Sequence, residues 1–204
     1  EKGYQVAVLS RSEHKNSPYL SFVWNLDKQE IDIKAIQSAD YIINLAGENI
    51  GKGRWTKERK NLILDSRVKT AEFIFEKVKE YNPHLKAYIS ASAVGYYGAV
   101  TSEKIYEETD TPANDFLGNI CQKWENAADN FASIGIRTVK IRTSMVLSSK
   151  GGSLPKMMIP TKMGIGMPMG TGKQYMPWIH IDDLCNIYIK AIEDNQMHGA
   201  YNAA

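Results

Sequence analysis

The stretch "YIINLAG", residues 41–47, is almost wholly apolar and ends in small residues. Strands that are buried on both faces of a parallel sheet have this composition. A helical pattern follows at 64–81, with apolar residues every three or four positions, and a second strand-like run follows at 86–92. A strand, a helix and a further strand in this order predict a βαβ unit and a mostly parallel sheet.

The same alternation of short apolar runs and helical patterns continues on both sides of this unit. Further strands are predicted at 4–9, 20–24 and 138–141, and further helices at 116–131 and 184–191. Asp182 or Asp183 is expected to cap the last helix. The segment 151–177 has little periodicity and is rich in Gly, Met and Pro, so it is expected to be a long loop of the kind that often carries function.

The bulk composition is that of an ordinary globular protein. Of the 204 residues, 43% are hydrophobic and 24% are charged, and the net charge of +2 is too small to favour nucleic acid or an anionic membrane as a partner. No apolar run approaches the roughly 20 residues that cross a bilayer. Cys121 and Cys185 are expected to be buried free thiols, which favours a cytoplasmic location and gives no reason to predict a metal site.

The first residues are typical of a helix end, with Gly3 as its C-cap, that runs into a strand. A dinucleotide-binding sheet carries a glycine-rich strand and turn before this point, and no G-x-G-x-x-G occurs in the sequence. A different α/β fold would explain this. That first strand lies at the centre of such a sheet, and a stable protein could hardly lack it, because its loss would leave unpaired strand edges inside the core. We therefore expect that the protein has the glycine-rich strand and turn, and that they lie outside the sequence given.

Four ordered stretches together resemble a known family. They are "NLAGENI", "GRW" and "DSRV" within 44–68, "SASAVGYYG" at 90–98, "RTSMVLS" at 142–148 with the glycine pair that follows, and "MPWIHIDDL" at 176–184. They resemble an atypical branch of the extended short-chain dehydrogenase/reductases, in the NAD(P)-dependent epimerase/dehydratase family. This branch is called the epimerase family proteins, also labelled cell-division inhibitor homologues.

The resemblance implies an α/β fold with a Rossmann-like doubly wound parallel sheet and part of a small C-terminal substrate lobe. We expect a dinucleotide-binding domain at 1–150, a substrate loop or partial lobe at 151–180, and a helix and strand that return to the first domain at 181–204. A small-molecule substrate is implied, and the amphipathic helices could also form a homodimer face.

The end of the strand at 4–9 bears on the choice of cofactor. Enzymes that use NAD carry an acidic residue there, but this chain has Ser10 and Arg11. The planar guanidinium of Arg11 suits the 2′-phosphate of NADP, so NADP(H) is favoured over NAD(H). The alternative is that Arg11 is a solvated surface residue.

By resemblance, further residues contact the cofactor. They are Asn44, Leu45, Ala46 and Gly47 on the adenine and ribose side, and Ala91, Arg142, Thr143 and Met145 near the nicotinamide. Each of these segments could instead be an ordinary strand-to-loop turn. Substrate contacts are expected from Arg54, Trp55, Trp178 and His180, although both tryptophans could simply pack in the core.

Ser92 stands where the wider superfamily has a hydroxyl residue that holds the substrate oxygen. In that superfamily a Tyr-x-x-x-Lys helix transfers the proton, and the lysine lowers the pKa of the tyrosine. By spacing from Ser92, Leu117 and Cys121 stand at those two positions. Tyr97 is the catalytic candidate that remains beside Ser92, and Tyr96, Lys123 and His180 are other possible substitutes.

The function predicted is therefore that of an NADP(H)-binding oxidoreductase or epimerase that acts on a small hydroxyl- or carbonyl-bearing compound, for example a nucleotide sugar. The alternative is a non-catalytic dinucleotide-binding sensor or partner-binding protein, because the Tyr-x-x-x-Lys pair is missing.

Overall fold

The computed structural model describes residues 2–13, 17–99, 102–166 and 171–204. The strands are β1 Ala7–Ser10, β2 Leu20–Asn25, β3 Glu30–Ile31, β4 Tyr41–Asn44, β5 Ala87–Ala93, β6 Arg137–Thr143, β7 Met145–Ser148, β8 Gly151–Gly152, β9 Trp178–His180 and β10 Gly199–Ala203. The helices are α1 Ile33–Gln37, α2 Lys57–Tyr81, α3 Phe116–Ser133, α4 Ser153–Lys162 and α5 Ile181–Glu193, with a 3-10 turn at Val94–Tyr97.

The central sheet contains four strands in the order β10-β6-β5-β4, and all three pairings are parallel. Parallel neighbours need long crossovers, and α2, α3 and α5 supply them. The predicted parallel α/β sheet is confirmed. The strand predicted at 41–46 ends earlier, at Asn44, and the one predicted at 138–141 is longer at both ends.

A second sheet contains β1 and β2 in parallel and β3 antiparallel to β2. In the described part of the chain, β1 pairs only with β2, and β4 pairs only with β5. Among the described residues, the edge strands are therefore β4 and β10 in the central sheet and β1 and β3 in the second sheet. The predicted strand at 4–9 begins later than expected, at Ala7.

Helices cover both faces of the central sheet. On one face, α2 and α3 bury a core in which Tyr88 of β5 stacks on Phe131 of α3 with ring centroids 3.7 Å apart. On the other face, α5 packs Leu184 and Tyr188 against Ile89 and its neighbours in the sheet. This arrangement of helices on both faces of a parallel sheet is the expected doubly wound architecture.

The segment 151–177 contains more regular structure than the sequence predicts, because β8 and α4 lie within it. β8 pairs with β7, which also pairs with β9, and α4 buries none of its side chains. No helix in the described ranges is both long and apolar enough to cross a membrane.

Two local expectations were wrong. The cap of α5 is His180, whose Nδ1 accepts a hydrogen bond from the backbone N–H of Asp182 at 3.3 Å, and neither Asp182 nor Asp183 is the cap. The helix starts two residues earlier than the acidic pair suggests. Cys121 is buried as expected, but Cys185 is exposed because it lies on the outer side of α5.

Candidate functional site

The carboxyl ends of β4, β5 and β6 meet at one edge of the central sheet. Asn44 lies beside Ser90 in the register of β4 and β5, and Ser92 lies beside Arg142 in that of β5 and β6. Because side chains alternate along each strand, these four residues share the face covered by α2 and α3. In α/β sheets of this kind, ligands bind at this edge.

Asn44 holds the turn that leaves β4. Its side chain is buried, its Nδ2 donates to the hydroxyl of Tyr88 at 2.8 Å, and its Oδ1 accepts from the backbone N–H of Ala46 at 3.0 Å. Burial raises the pKa of Tyr88. The turn that follows is open to solvent, since Leu45 is 65% exposed and Gly47 is also exposed.

Gly47 lies directly against a side chain of α2. A Cβ at Gly47 would stand 3.0 Å from Cζ of Arg67. The Arg67 guanidinium also lies over the ring of Trp124 in α3, with Cζ 5.0 Å from the ring centroid. Glycine at this position thus lets a half-buried cation approach the end of β4.

A buried ionic network connects β5, β6 and α3. The hydroxyl of Ser92 donates to Oε1 of Glu125 at 2.6 Å, and Arg142 donates to the same carboxylate from Nε at 2.8 Å and from Nη2 at 2.9 Å. Ser92, Glu125 and Arg142 are 3%, 5% and 3% exposed. The carboxylate therefore accepts three charge-assisted hydrogen bonds away from solvent.

Tyr97 extends this network to the last strand. Its hydroxyl accepts from Nη1 of Arg142 at 2.7 Å and lies 2.7 Å from Oδ1 of Asn202 and 3.0 Å from the carbonyl of Glu107. The Arg142 guanidinium also lies over the ring of Tyr96, 3.5 Å from its centroid. Both tyrosines after β5 are thus held by Arg142.

The charge state of Arg142 follows from these contacts. Burial by itself lowers the pKa of its guanidinium, but the hydrogen bonds and charge of Glu125 outweigh burial, so the pKa is raised. Burial also raises the pKa of the nearby Tyr96 hydroxyl, although the charge of Arg142 opposes this. Neither group is a base at neutral pH in this arrangement.

Leu117 and Cys121 occupy the helix positions where tyrosine and lysine were sought. A Cβ at Gly95, in the 3-10 turn after β5, would lie 3.4 Å from Cβ of Leu117 and 3.8 Å from Sγ of Cys121. Burial raises the pKa of Cys121 to about 12, so this side chain is a neutral thiol. Lys123 is exposed and lies on a different side of α3.

The end of β1 carries the two residues considered for cofactor choice. Ser10 is half-buried and Arg11 is exposed, and the Ser10 hydroxyl donates to the carbonyl of Ser12. Glu48, just after β4, has a lowered pKa, chiefly because Arg59 hydrogen-bonds to it, with smaller contributions that include the charge of Arg11. Arg11 therefore lies within electrostatic reach of the turn after β4.

The remaining cofactor candidates lie around the ends of β5 and β6. Ala91, Thr143 and Met145 are half-buried. The Thr143 hydroxyl donates to the carbonyl of Ile141 at 3.3 Å, and Met145 is paired with Trp178 between β7 and β9. Their contact with a cofactor stays a prediction.

The substrate candidates separate into two places. Trp55 is 42% exposed and packs on Phe116 at the start of α3, with ring centroids 5.2 Å apart, and Arg54 beside it is also exposed. Trp178 is 57% exposed on β9, and His180 caps α5. The expectation that the tryptophans could be core residues does not hold for these two.

Three residues of this edge were missed by reading the sequence: Arg67, Glu125 and Asn202. Glu125 carries a usable signal, since it is a charged residue within the apolar stripe of α3, one helical turn after Cys121. Arg67 lies within the "DSRV" stretch of the resemblance, and Asn202 carries no signal; the neighbours of both come from distant segments, so the sequence does not identify their contacts. The described residues contain no cluster of side chains suited to a metal ion.

Known proteins match most of the chain, and one family model matches all of it. The model of the NAD dependent epimerase/dehydratase family matches residues 1–204. An epimerase family protein of Mycobacterium leprae is 36% identical over 179 residues, which are 88% of this chain and 57% of that relative. The chain thus spans less than two thirds of the length of this relative.

Two solved structures show the same fold at appreciable identity. The nucleoside-diphosphate sugar epimerase of Corynebacterium glutamicum is 34% identical with a TM-score of 0.80, over 95% of this chain and 39% of its own. The human epimerase family protein SDR39U1, isoform 2, was crystallised with NADPH. It is 30% identical with a TM-score of 0.80, and the match covers 99% of this chain and 66% of the human chain.

Proposed function

The chain belongs to the NAD dependent epimerase/dehydratase family, and on this premise we propose that the whole protein binds NADP(H) across the carboxyl ends of β4, β5 and β6. Its substrate is a small hydroxyl- or carbonyl-bearing compound, and nucleotide sugars are the first to test. Support comes from the human relative, which was crystallised with NADPH, and from the relative in Corynebacterium glutamicum, described as a nucleoside-diphosphate sugar epimerase.

The observation that carries the proposal is the shared edge of the three strands. The register brings Asn44 and Ser92 to the same face of the sheet, with Gly47 exposed at the turn between β4 and α2. Trp124 has a buried indole N–H without a hydrogen-bond partner among the described residues, and its ring lies under Arg67. An unpaired N–H donor near an open turn fits a ligand that is rich in phosphate and hydroxyl oxygens.

When bound, a nicotinamide dinucleotide supplies a hydride donor or acceptor. In this proposal Asn44, Ala46 and Gly47 shape the turn on which its adenosine half rests, and Arg11 binds the 2′-phosphate. Ser92 gives its only proton to Glu125, so its oxygen remains an acceptor, suited to a substrate hydroxyl.

A second function has its own support. Ser92 and Tyr97 both donate their hydroxyl protons to acceptors within the protein, and Leu117 and Cys121 cannot transfer a proton at neutral pH. These contacts favour a protein that binds the dinucleotide without turning over a substrate, as a sensor or a partner-binding protein.

A turnover assay of the full-length protein separates the two. The protein is given NADPH with a panel of aldehydes, ketones and nucleotide sugars, and both NADPH oxidation and epimerised products are followed. Ser92→Ala is compared with Ser90→Ala, which removes a hydroxyl two residues earlier on the same face, bonded to the carbonyl of Ala91 and to the side chain of Tyr88.

Turnover that is lost in Ser92→Ala and kept in Ser90→Ala supports the enzyme. Tight NADPH binding without turnover supports the sensor. A full-length protein that binds neither NADPH nor NADH contradicts both.

A further inference from the structure

Glu125 is a buried carboxylate that reaches Ser92 from α3. Both of its oxygens face the guanidinium of Arg142, with Oε1 at 2.8 Å from Nε and Oε2 at 2.9 Å from Nη2. A guanidinium has only donors, so neither oxygen carries a proton in this pairing. Glu125 is therefore an ionised carboxylate, at a position that is only 5% exposed.

The ionised carboxylate decides the direction of the hydrogen bond at Ser92. A carboxylate accepts hydrogen bonds and cannot donate one, and a serine hydroxyl has a single proton. The Ser92 oxygen lies 2.6 Å from Oε1 of Glu125, so that proton is directed at the carboxylate. A hydrogen bond to an ionised acceptor is roughly twice as strong as a neutral one. The Ser92 oxygen therefore has only lone pairs left for another molecule.

The direction of this bond limits what can bind at Ser92. A ligand hydroxyl can donate to the serine oxygen, whereas a ligand carbonyl would place two acceptors against each other with no proton between them. A site built for one hydrogen-bonding group rejects an analogue that lacks it, because buried polar atoms are then left unpaired. A serine without the carboxylate could rotate its proton towards a carbonyl, and Glu125 removes that possibility.

Two other hydroxyls close to Ser92 in the chain also give their protons to the protein. The hydroxyl of Tyr97 donates to Oδ1 of Asn202 at 2.7 Å, and that of Ser90 donates to the carbonyl of Ala91 at 2.9 Å. Neither hydroxyl therefore replaces Ser92 as a donor to a ligand carbonyl. The preference for a donating ligand group at Ser92 is not offset by these two neighbours.

We infer that Glu125 is a positioning residue that makes Ser92 a hydrogen-bond acceptor only, so that the ligand group bound at Ser92 is a hydroxyl and not a carbonyl. The inference rests on the proposed function for the presence of a substrate at this edge of the sheet. It narrows the substrate class from hydroxyl- or carbonyl-bearing compounds to hydroxyl-bearing ones. Glu125 acts through Ser92 and does not itself contact the ligand.

The test uses the full-length protein with UDP-glucose and a set of analogues in which fluorine replaces one sugar hydroxyl at a time. Fluorine cannot donate a hydrogen bond, so each analogue removes one donor. Binding is measured by calorimetry with NADPH present, because the reduced cofactor cannot take a hydride from a hydroxyl. UDP alone reports the binding of the nucleotide part. The variants are Ser92→Ala, Glu125→Gln and Glu125→Asp, and the last keeps a charge for Arg142 but withdraws it from Ser92 by one methylene.

One analogue is expected to bind the unmodified protein about 10- to 100-fold more weakly than UDP-glucose, because it leaves the Ser92 oxygen without its donor. In Ser92→Ala and in both Glu125 variants this difference should shrink to about threefold or less, while UDP binds as before. Asp129→Asn is the matched control and should keep the full difference, since Asp129 is a carboxylate of the same helix that pairs with Lys140 of β6. A purely structural role of Glu125 would weaken all the ligands alike and leave their ratio unchanged.

The outcomes separate this inference from the proposed function. If UDP-glucose binds but the ratio between it and every analogue is the same in Ser92→Ala or in a folded Glu125 variant as in the unmodified protein, the inference is overturned and nucleotide-sugar binding stands. If the unmodified protein binds NADPH but not UDP-glucose, the nucleotide-sugar substrate fails and this inference fails with it.

Discussion

Glu125 and Arg142 form a two-bond ion pair between α3 and β6, with Nε–Oε1 at 2.8 Å, Nη2–Oε2 at 2.9 Å and both side chains almost fully buried. Asp129 and Lys140 join the same helix to the same strand one turn away at 2.6 Å, but the Asp129 side chain is 48% exposed. Because these two ion pairs differ in burial and join the same helix to the same strand, they show how burial changes the contribution of an ion pair to stability.

Replacing Glu125 by Gln leaves Arg142 without a counter-charge inside the protein. Removing one partner of a buried pair costs about 3–5 kcal/mol, and an exposed pair contributes about 0–1 kcal/mol. Asp129 and Lys140, with side chains 48% and 12% exposed, lie between these two cases. We expect Glu125→Gln to lower the free energy of unfolding in urea by the larger amount, and Asp129→Asn by the smaller. Equal losses in the two variants would show that the buried network is not what holds β6 to α3.

Gly118 allows α3 to start against the preceding loop. A Cβ there would stand 2.1 Å from the backbone oxygen of Ala113, which cannot move as a flexible side chain can. Helix propensity alone favours alanine over glycine by about 1 kcal/mol. We expect the steric clash with Ala113 to outweigh the better helix propensity of alanine, so that Gly118→Ala destabilises the protein by about 3 kcal/mol.

The exposed Gln122 on the same helix provides the control, since Gln122→Ala meets no such contact and is expected to change stability by less than about 0.5 kcal/mol. Chemical unfolding of both variants decides the matter. A Gly118→Ala protein as stable as the parent would mean that the loop before α3 yields easily.

The two cysteines are expected to react very differently. Burial raises the pKa of Cys121 to about 12, so at pH 8 only about one molecule in ten thousand carries its thiolate. Cys185 is exposed. Iodoacetamide should therefore label one thiol quickly in the native protein, and mass spectrometry should place the label on Cys185. Cys185→Ser should abolish the fast phase and Cys121→Ser should leave it, whereas rapid labelling of both would contradict the burial of Cys121.

Asp115 caps α3 and ties it to the loop after β5. Its Oδ1 accepts from the backbone N–H of Gly118 at 2.8 Å and its Oδ2 from that of Ala99 at 3.0 Å. These bonds, that of Gly118 first, lower the pKa of the carboxyl. A lowered pKa stabilises the fold above the ordinary value of about 4, and this contribution is lost as the pH falls below it.

We expect Asp115→Ala to cost about 1 kcal/mol at pH 7 and less at pH 3. Asp115→Ser keeps a capping hydroxyl without a charge, so its cost should change little between the two pH values. Urea unfolding of the three proteins at both pH values provides the comparison. A cost of Asp115→Ala that does not depend on pH would mean that the charge contributes nothing at this cap.

The sequence was sufficient for the parts of the fold that depend on local patterns. The apolar run of β4, and its alternation with the helical pattern and the strand-like run of β5, indicated a parallel sheet. The partners of the side chains could not be foreseen in the same way. The pairing of Glu125 with Arg142, and of Arg67 with Gly47 and Trp124, depends on how α2 and α3 lie on the sheet. Likewise, two aspartates suggested a cap for α5 that the backbone assigns to His180.

Arg11 provides the most direct test of cofactor choice. In the proposed complex its guanidinium binds the 2′-phosphate, which only NADP(H) carries. Losing such a charge-assisted contact costs about 1.5–3 kcal/mol, or about 10- to 100-fold in affinity. We therefore expect Arg11→Ala in the full-length protein to weaken NADPH by that factor and to leave NADH within about twofold, as measured by fluorescence titration at constant ionic strength.

Lys86→Ala is the matched control for Arg11. Lys86 is an exposed cation paired with Asp40 at the amino end of β5, the opposite edge of the sheet from the site. Lys86→Ala removes the same charge from the surface as Arg11→Ala does. A loss of NADPH affinity that is due only to long-range attraction should therefore appear in both variants. If Arg11→Ala weakens NADPH and NADH equally, or no more than Lys86→Ala does, then Arg11 is a solvated surface residue and the preference for NADP(H) must come from elsewhere.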